Sequence, residues 1–262
     1  MNEYRIGFAE RDFDKTFICK KLGADYHELN VNFLHDMTEE EFNDFLNKVK
    51  AEGISVEAAK NMIPGEMQFT VDNPNFEELD AYLDKAFCRL NKLGVKIAVL
   101  GSSGARSYPD GVTYEQAFYR LVYFLNEHLI PVCKKYNIVC ALENLSRSES
   151  NILNTIDESY RVVQACNSEW VKILVDFYHF QRNNDSIESI RRAKDYIIHT
   201  HFASTTTDRK LPAETDNDPY EEYINLLREI GYKGRLSFEA GVPDGMTYEE
   251  AAANALALFR NL

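Results

Sequence analysis

Short apolar runs alternate with amphipathic, capped segments along the whole chain. The runs lie at residues 4–8, 25–30, 54–57, 95–100, 138–143, 171–176, 196–202 and 235–239. Most are unbroken hydrophobic stretches rather than clean alternations, the pattern of parallel strands covered on both faces. Between them, Thr38 with Glu41, Thr113 with Gln116, Thr155 with Glu158 and Thr247 with Glu250 each fit a capping box. Pro219, after Asp218, fits the first position of a further helix. Gly23, Gly53, Gly94 and Gly231 mark helix ends just before strands. Phe76, Leu79, Leu83, Phe87 and Leu90 share one helical face that should cover the sheet.

The tally is eight strands and eight helices in strict alternation, with no linker between them. Such alternation implies a parallel sheet, which right-handed crossovers close into a (β/α)8 barrel. The chain of 262 residues fits one such domain, 1–262. A doubly wound open sheet is the competing architecture, but no GxGxxG or P-loop follows the first strand.

Four runs end in an ionisable residue: VCALE in Glu143, ILVD in Asp176, IIHTH in His201 and LSFE in Glu239. Burying such a residue is costly unless it is paired, neutralised or bound to a metal. Subtraction puts the four 33, 25 and 38 residues apart, about one strand–helix unit each. In a closed barrel the carboxyl ends of strands converge on one mouth, where catalytic groups gather. Two Glu, one Asp and one His there make an oxygen-rich site for one divalent metal ion. Mn²⁺ or Mg²⁺ suits it best, then Co²⁺ or Zn²⁺, and the lack of thiolates argues against structural zinc. The half of the mouth over strands one to four is left for a small substrate.

Charge narrows the partners. A net charge of −13 opposes nucleic acid, which is bound through clustered Lys and Arg. No apolar run approaches the roughly 18 residues of a membrane span, and MNEYRIGFAERDF carries no signal-peptide pattern. The five cysteines, Cys19, Cys88, Cys133, Cys140 and Cys166, are scattered, as reduced thiols of a cytoplasmic protein are. A cytoplasmic protein with neither nucleic-acid nor membrane partner is expected.

More polar residues crowd the candidate ligands than structure alone requires. ENLSRSE carries Glu143, Arg147 and Glu149, DFYH carries Asp176 and His179, and HTHFASTTTDRKLP carries His201 and Arg209. ENLSRSE resembles the E-x-L-N-R-x-E segment of D-tagatose and D-psicose 3-epimerases, and D-x-x-H recurs in that family one unit later. HTHFASTTTDRKLP resembles their H-x-H…R-x-x-P segment, and SFE their last ligand strand. KIAVLGSSGARSYPDG resembles a Gly-rich G-S-x-G-A-R segment of related xylose isomerase-like barrels. The resemblance runs from Gly23 onward. It implies Glu143, Asp176, His201 and Glu239 as metal ligands, with Glu143 and Glu239 also the acid–base pair. Glu149, His179 and Arg209 would contact the hydroxyls of a carbohydrate substrate, and a homodimer or homotetramer is implied. Two departures stand out. Arg209 lies two residues further from His201 than the family's spacing, and residues 204–218 lack the glycines common there.

The chemistry that follows is epimerisation or isomerisation of a sugar or sugar phosphate. A divalent ion on a ketose carbonyl acidifies the adjacent C–H by stabilising an enediolate. One glutamate removes the proton and the other returns one to the opposite face. Dehydration of an inosose-type cyclic polyol uses the same groups. An endonuclease IV-like phosphodiesterase shares D-x-x-H, but no D-x-H follows His201 here. A non-catalytic sugar-binding barrel is the remaining class. Among weaker signals, His199 shares a strand face with His201 and reads as an interior residue. Gly101-Ser-Ser-Gly104 fits a tight turn or a phosphate cradle. Arg106 faces solvent or substrate, and Glu28 either enters the mouth or pairs with Arg5 or another cation. His27 and His128 lack convergent partners, and His35 reads as exposed.

Overall fold

Eight parallel strands close into a barrel in sequence order. They are β1 (Arg5–Ala9), β2 (Tyr26–Asn30), β3 (Val56–Lys60), β4 (Ile97–Leu100), β5 (Val139–Glu143), β6 (Val171–Asp176), β7 (Ile197–Phe202) and β8 (Arg235–Phe238). Closure is the pairing of β1 with β8, Ile6 opposite Leu236 and Phe8 opposite Phe238. This computed structural model describes residues 4–10 and 12–262. The reading of the amino-terminal segment as free of a leader includes Met1–Glu3 and Arg11, outside the described residues.

The helices are α1 (Phe13–Lys21), α2 (Val31–Asp36), α3 (Glu39–Ala51), α4 (Phe76–Leu93), α5 (Ser103–Arg106) and α6 (Tyr114–Phe124). They continue with α7 (Ile130–Tyr136), α8 (Ile156–Cys166), α9 (Phe177–Arg182), α10 (Ile187–Ala193), α11 (Tyr220–Glu229) and α12 (Tyr248–Asn261). The described residues therefore hold twelve α-helices, not eight. Polar strand ends account for two of the additions: Asn30 accepts from Phe33 N to cap α2, and Asp176 caps α9. A π-helical turn, Leu125–Leu129, divides one rod into α6 and α7.

All four capping boxes form. Pro219 caps α11 from the position before its first turn, one residue earlier than expected. Gly94 caps α4 at φ +90°, and Gly23, Gly53 and Gly231 follow the other helix ends at positive φ. On α4 the buried residues Leu79, Leu83, Phe87 and Leu90 face the barrel, and Phe76 lies half-buried beside them. Each fully buried Leu or Phe contributes roughly 1.5–3 kcal/mol relative to exposure.

Alternation along each strand sorts the barrel interior into layers. An apolar floor contains Tyr26, Ala58, Val99, Ala141 and Leu174. Two residues further along these strands stand Glu28, Lys60, Gly101, Glu143 and Asp176, all toward the carboxyl-end mouth. β3 runs on to Lys60, past the expected end at Glu57, which instead pairs with Arg5 and Arg235. His35 is not exposed: it lies half-buried within α2, its ring 4.2 Å from that of Tyr82. His128 also has partners, Asp80 at 2.9 Å and the stacked ring of Phe76 at 3.9 Å. No helix among the described residues is long and apolar enough to cross a membrane.

Candidate metal and catalytic site

Glu143 ends β5, Asp176 ends β6, His201 lies near the end of β7, and Glu239 follows β8. Each offers one ligand atom, and the four atoms lie within 4.8 Å of one another. His201 Nδ1 is the hub, 3.2 Å from Glu143 Oε1, 3.4 Å from Glu239 Oε2 and 3.9 Å from Asp176 Oδ2. On the far side of the ring, Nε2 lies 3.0 Å from Glu28 Oε1.

That arrangement is a direct test for a cation. With Nε2–H donated to Glu28, Nδ1 turns a lone pair toward three carboxylate oxygens, which repel it unless a positive charge intervenes. A proton can supply that charge. Burial opposes the imidazolium, yet Glu28, Glu143 and Glu239 outweigh burial and hold the His201 pKa well above its ordinary value. A divalent ion can take the proton's place, and three carboxylates with one imidazole suit a hard or borderline ion.

Asp176 shows how local structure frees an atom for this group. Its Oδ1 accepts from Tyr178 N at 2.8 Å and His179 N at 3.2 Å, capping α9 and leaving Oδ2 for the site. Asn144 ties β5 to β6, accepting from Asp176 N at 2.9 Å. Burial raises the Asp176 pKa despite nearby His179 and Arg209. Glu239 goes the other way: Lys60, Arg209 and His201 overcome its burial and hold it well below the carboxylate range. The cause is geometric, with Lys60 Nζ 2.6 Å from Oε1 and Arg209 Nη2 2.7 Å from Oε2.

The further residues named from the sequence meet here too. His179 is fully buried, and its Nδ1 accepts from Ser146 N at 3.1 Å. The remaining proton is therefore on Nε2, a buried donor without a hydrogen-bond partner among the described residues, 3.7 Å from Asp176 Oδ2. Glu149 lies 3.8 Å from His179 Nδ1 and 3.4 Å from Arg209 Nη1. Arg209 reaches the site despite its longer spacing because Asp208 and Arg209 both take left-handed backbone, φ +57° and +63°. Its carbonyl then accepts from Gly241 N at 2.8 Å, tying the β7 loop to the β8 loop.

Beside the ligand group opens a cavity of about 510 Å³, a size that holds a small molecule. Glu10, Asn32, Lys60, Ser102, Glu149 and Arg209 are among its lining residues. Gly101 forms its wall at Glu143: a Cβ there would lie 2.0 Å from Glu143 Oε2.

The closed eight-stranded barrel that carries these candidate ligands has relatives. Residues 18–262 match the family described as Xylose isomerase-like TIM barrel. The chain belongs to that family. Within it, the chain is similar to D-psicose 3-epimerase of Ruminiclostridium cellulolyticum, 27% identical over 244 residues, 91% of this chain and 81% of that one. A 120-residue stretch is 31% identical to D-psicose 3-epimerase of Enterocloster bolteae, covering 45% of this chain and 39% of the relative. Another, of 138 residues, is 26% identical to inosose isomerase of Bacillus subtilis, covering 48% and 49%. The matched stretches thus span less than half the length of these last two. Among solved structures, D-psicose 3-epimerase with D-tagatose from Clostridium cellulolyticum H10 gives a TM-score of 0.85 at 22% identity, over 98% of each chain. The IOLI protein with a binding zinc atom gives 0.78 at 21% identity, over 97% and 95%.

In this xylose isomerase-like barrel, two open readings, Glu28 and Arg106, resolve to positioning rather than substrate contact. Glu28 enters the barrel and leaves Arg5 to Glu57, with His199 Nε2 at 2.8 Å and Ser237 Oγ donating at 2.7 Å. Burial acts against the Glu28 carboxylate, but His201 and His199 outweigh it and hold its pKa well below the ordinary range. Arg106 faces neither solvent nor the cavity: it is fully buried and donates to the carbonyls of Glu143 at 2.7 Å, Leu100 at 3.1 Å and Leu153 at 3.3 Å. The Gly101–Gly104 segment lines the cavity, where Ser102 at φ +36° opens α5 and its Oγ accepts from Ile63 N. Lys60 and Asn144 escaped the sequence reading altogether. The signal for Lys60 was its even spacing from Ala58, hidden because EAAK does not look like a strand.

Proposed function

We propose that the protein is a divalent-metal-dependent epimerase or isomerase acting on a keto sugar. The observation that carries this reading is the convergence of the Glu143 and Glu239 carboxylates on one potential ligand atom, His201 Nδ1, at 3.2 and 3.4 Å. Glu143, Asp176, His201 and Glu239 would hold the ion, with Mn²⁺ or Mg²⁺ favoured by the oxygen-rich set and Zn²⁺ supported by the zinc in a structural relative. Such an ion would supply Lewis acidity to a carbonyl and its neighbouring hydroxyl.

The chain's own groups do the rest. One of the two glutamates takes the proton from the carbon beside the carbonyl, and the other delivers one to the opposite face. His179 Nε2, buried and without an acceptor among the described residues, gains one when a substrate hydroxyl arrives, which offsets its desolvation. Glu149 and Arg209 hold one another at the cavity wall and offer an acceptor and donors to further hydroxyls. Delivery of the proton to the same carbon gives epimerisation. Delivery to the neighbouring carbon gives aldose–ketose isomerisation.

The test is hydrogen exchange. Protein loaded with Mn²⁺ would be incubated in D₂O with free ketoses, ketose phosphates and an inosose, and C–H loss followed by NMR. Deuterium at C3 of a ketose is the expected result, and label at C1 would assign isomerisation instead. Glu143→Gln should slow exchange by about 10²–10⁴-fold, the usual contribution of a general base. Turnover of that variant at the wild-type rate would sink the assignment. Loss of water from the inosose without exchange would replace it with dehydration.

A further inference from the structure

Lys60 is a cation in the substrate half of the mouth, contributed by β3 and lining the cavity. Its side chain is 6% exposed, and its Nζ donates to Glu239 Oε1 at 2.6 Å. Orientation of Glu239 does not explain a buried lysine. The other oxygen of that carboxylate already accepts from Arg209 at 2.7 Å, and a neutral amide could hold the first without the cost of burying a charge. An ammonium also has three donors. Glu239 is the hydrogen-bond acceptor found for Nζ among the described residues, which leaves two N–H groups.

The local charges say what they are for. Five carboxylates stand in or beside the candidate ligand group: Glu143, Asp176 and Glu239 within it, Glu28 and Glu149 next to it. Against them stand Arg209, Lys60 and the two charges of a divalent ion. Removal of a C–H proton adds a negative charge to the substrate in a site already one cation short.

We propose that Lys60 is a catalytic residue, donating a hydrogen bond to the substrate oxygen that becomes negative as the α-proton leaves. This rests on the proton-transfer reading above. The proton passes from carbon to a glutamate, the C–H electron pair moves toward the carbonyl oxygen, and Lys60 stays protonated throughout. Lys60 thereby favours the anionic form of the substrate over the neutral ketone.

The experiment compares wild type with Lys60→Met and Lys60→Gln, and with Lys60→Arg as the charge-keeping variant. Three quantities are measured: Mn²⁺ affinity by calorimetry, then binding of glycolohydroxamate and of dihydroxyacetone to the Mn²⁺ protein. Glycolohydroxamate carries the planar anionic geometry of an enediolate, and dihydroxyacetone is the neutral ketone. Loss of the cation should weaken glycolohydroxamate by about 10- to 100-fold, the range of a charged hydrogen bond. Dihydroxyacetone should change little, Mn²⁺ should bind as well or more tightly, and Lys60→Arg should recover part of the loss. Equal weakening of both ligands, or a hydroxamate affinity that ignores Lys60, overturns the proposal. So does a large loss of Mn²⁺ affinity in both Met and Gln variants, which would make Lys60 a positioning residue for Glu239. A wild type that shows the hydroxamate dependence but exchanges no C–H defeats the epimerase reading and leaves Lys60 as an anion contact.

Discussion

His201 and Glu28 are locked together, Nε2 to Oε1 at 3.0 Å, on the side of the imidazole away from the carboxylates of Glu143, Asp176 and Glu239. Glu28 also receives His199 Nε2 and Ser237 Oγ. One buried carboxylate thus fixes which ring nitrogen of His201 carries the proton and leaves the other free as a ligand.

Glu28→Gln should therefore lower divalent-metal affinity without removing any ligand. An amide can accept from only one of its two ends, so it cannot serve His199, His201 and Ser237 as the carboxylate does. The expected loss is about 10- to 100-fold in Mn²⁺ affinity, typical of a partner behind a ligating histidine. Calorimetric titration of the metal-free protein measures it. An unchanged affinity would remove Glu28 from the account of the site.

Gly101→Ala tests the position of Glu143 by a different route. The added methyl would sit 2.0 Å from Glu143 Oε2 and 3.2 Å from its Cδ. The nearest atom is the end of a side chain, so the carboxylate swings away and the backbone stays. Stability should be nearly unchanged while proton exchange falls by about 10²-fold, the usual effect of misplacing a catalytic group by an ångström. The two readouts are thermal melting and the NMR exchange rate. A variant that exchanges normally would mean Glu143 works from another rotamer.

The barrel and the convergence of its four polar strand ends were legible because one signal serves both. A buried parallel strand is an apolar run, and its last inward residue is polar only where the mouth uses it, as in VCALE and ILVD. Lys60 was not legible because Ala58 and Ala59 are poor strand formers, so the run appeared to stop at Glu57. Glu28 was visible, but its choice between Arg5 and the interior depends on β7, 171 residues away in sequence. Arg106 defeats local reading altogether: three of its acceptors are carbonyls, which no side-chain pattern reveals. Arg209 was visible as an outlier in spacing, and two left-handed residues absorb the difference.

Arg106→Leu should destabilise the whole mouth. The guanidinium donates to three backbone carbonyls and to Ser150 Oγ at 3.4 Å, all buried. Burial brings its pKa down to about 10, still high enough to keep it charged at neutral pH. Leucine would remove this donor from all three carbonyls, of which Leu153 O keeps Leu145 N at 3.0 Å, at a cost of about 1–3 kcal/mol for each acceptor left unsatisfied. Urea unfolding followed by circular dichroism would report it as a lower midpoint with an unchanged slope. A change below about 1 kcal/mol, the net worth of one ordinary hydrogen bond, would show that water replaces the guanidinium.

His27 sets a pH dependence that is separate from the site. It lies on β2, 1% exposed, and neither ring nitrogen has a hydrogen-bond partner among the described residues. Burial, with a smaller push from Lys20, lowers its pKa from 6.5 to about 4. Between those values the unfolded chain binds a proton that the folded one refuses, so His27 makes the fold less stable as pH drops from 6.5 toward 4. Above pH 6.5 the penalty vanishes because both states are neutral. The full penalty is about 3 kcal/mol, at about 1.36 kcal/mol per pKa unit. His27→Leu removes the titrating ring and leaves an apolar side chain in a buried place. Urea midpoints of the two proteins should therefore be similar at pH 7.5 and diverge in favour of the variant at pH 4.5. A difference that stays constant across that range would assign the acid sensitivity to other groups, such as the carboxylates of the mouth.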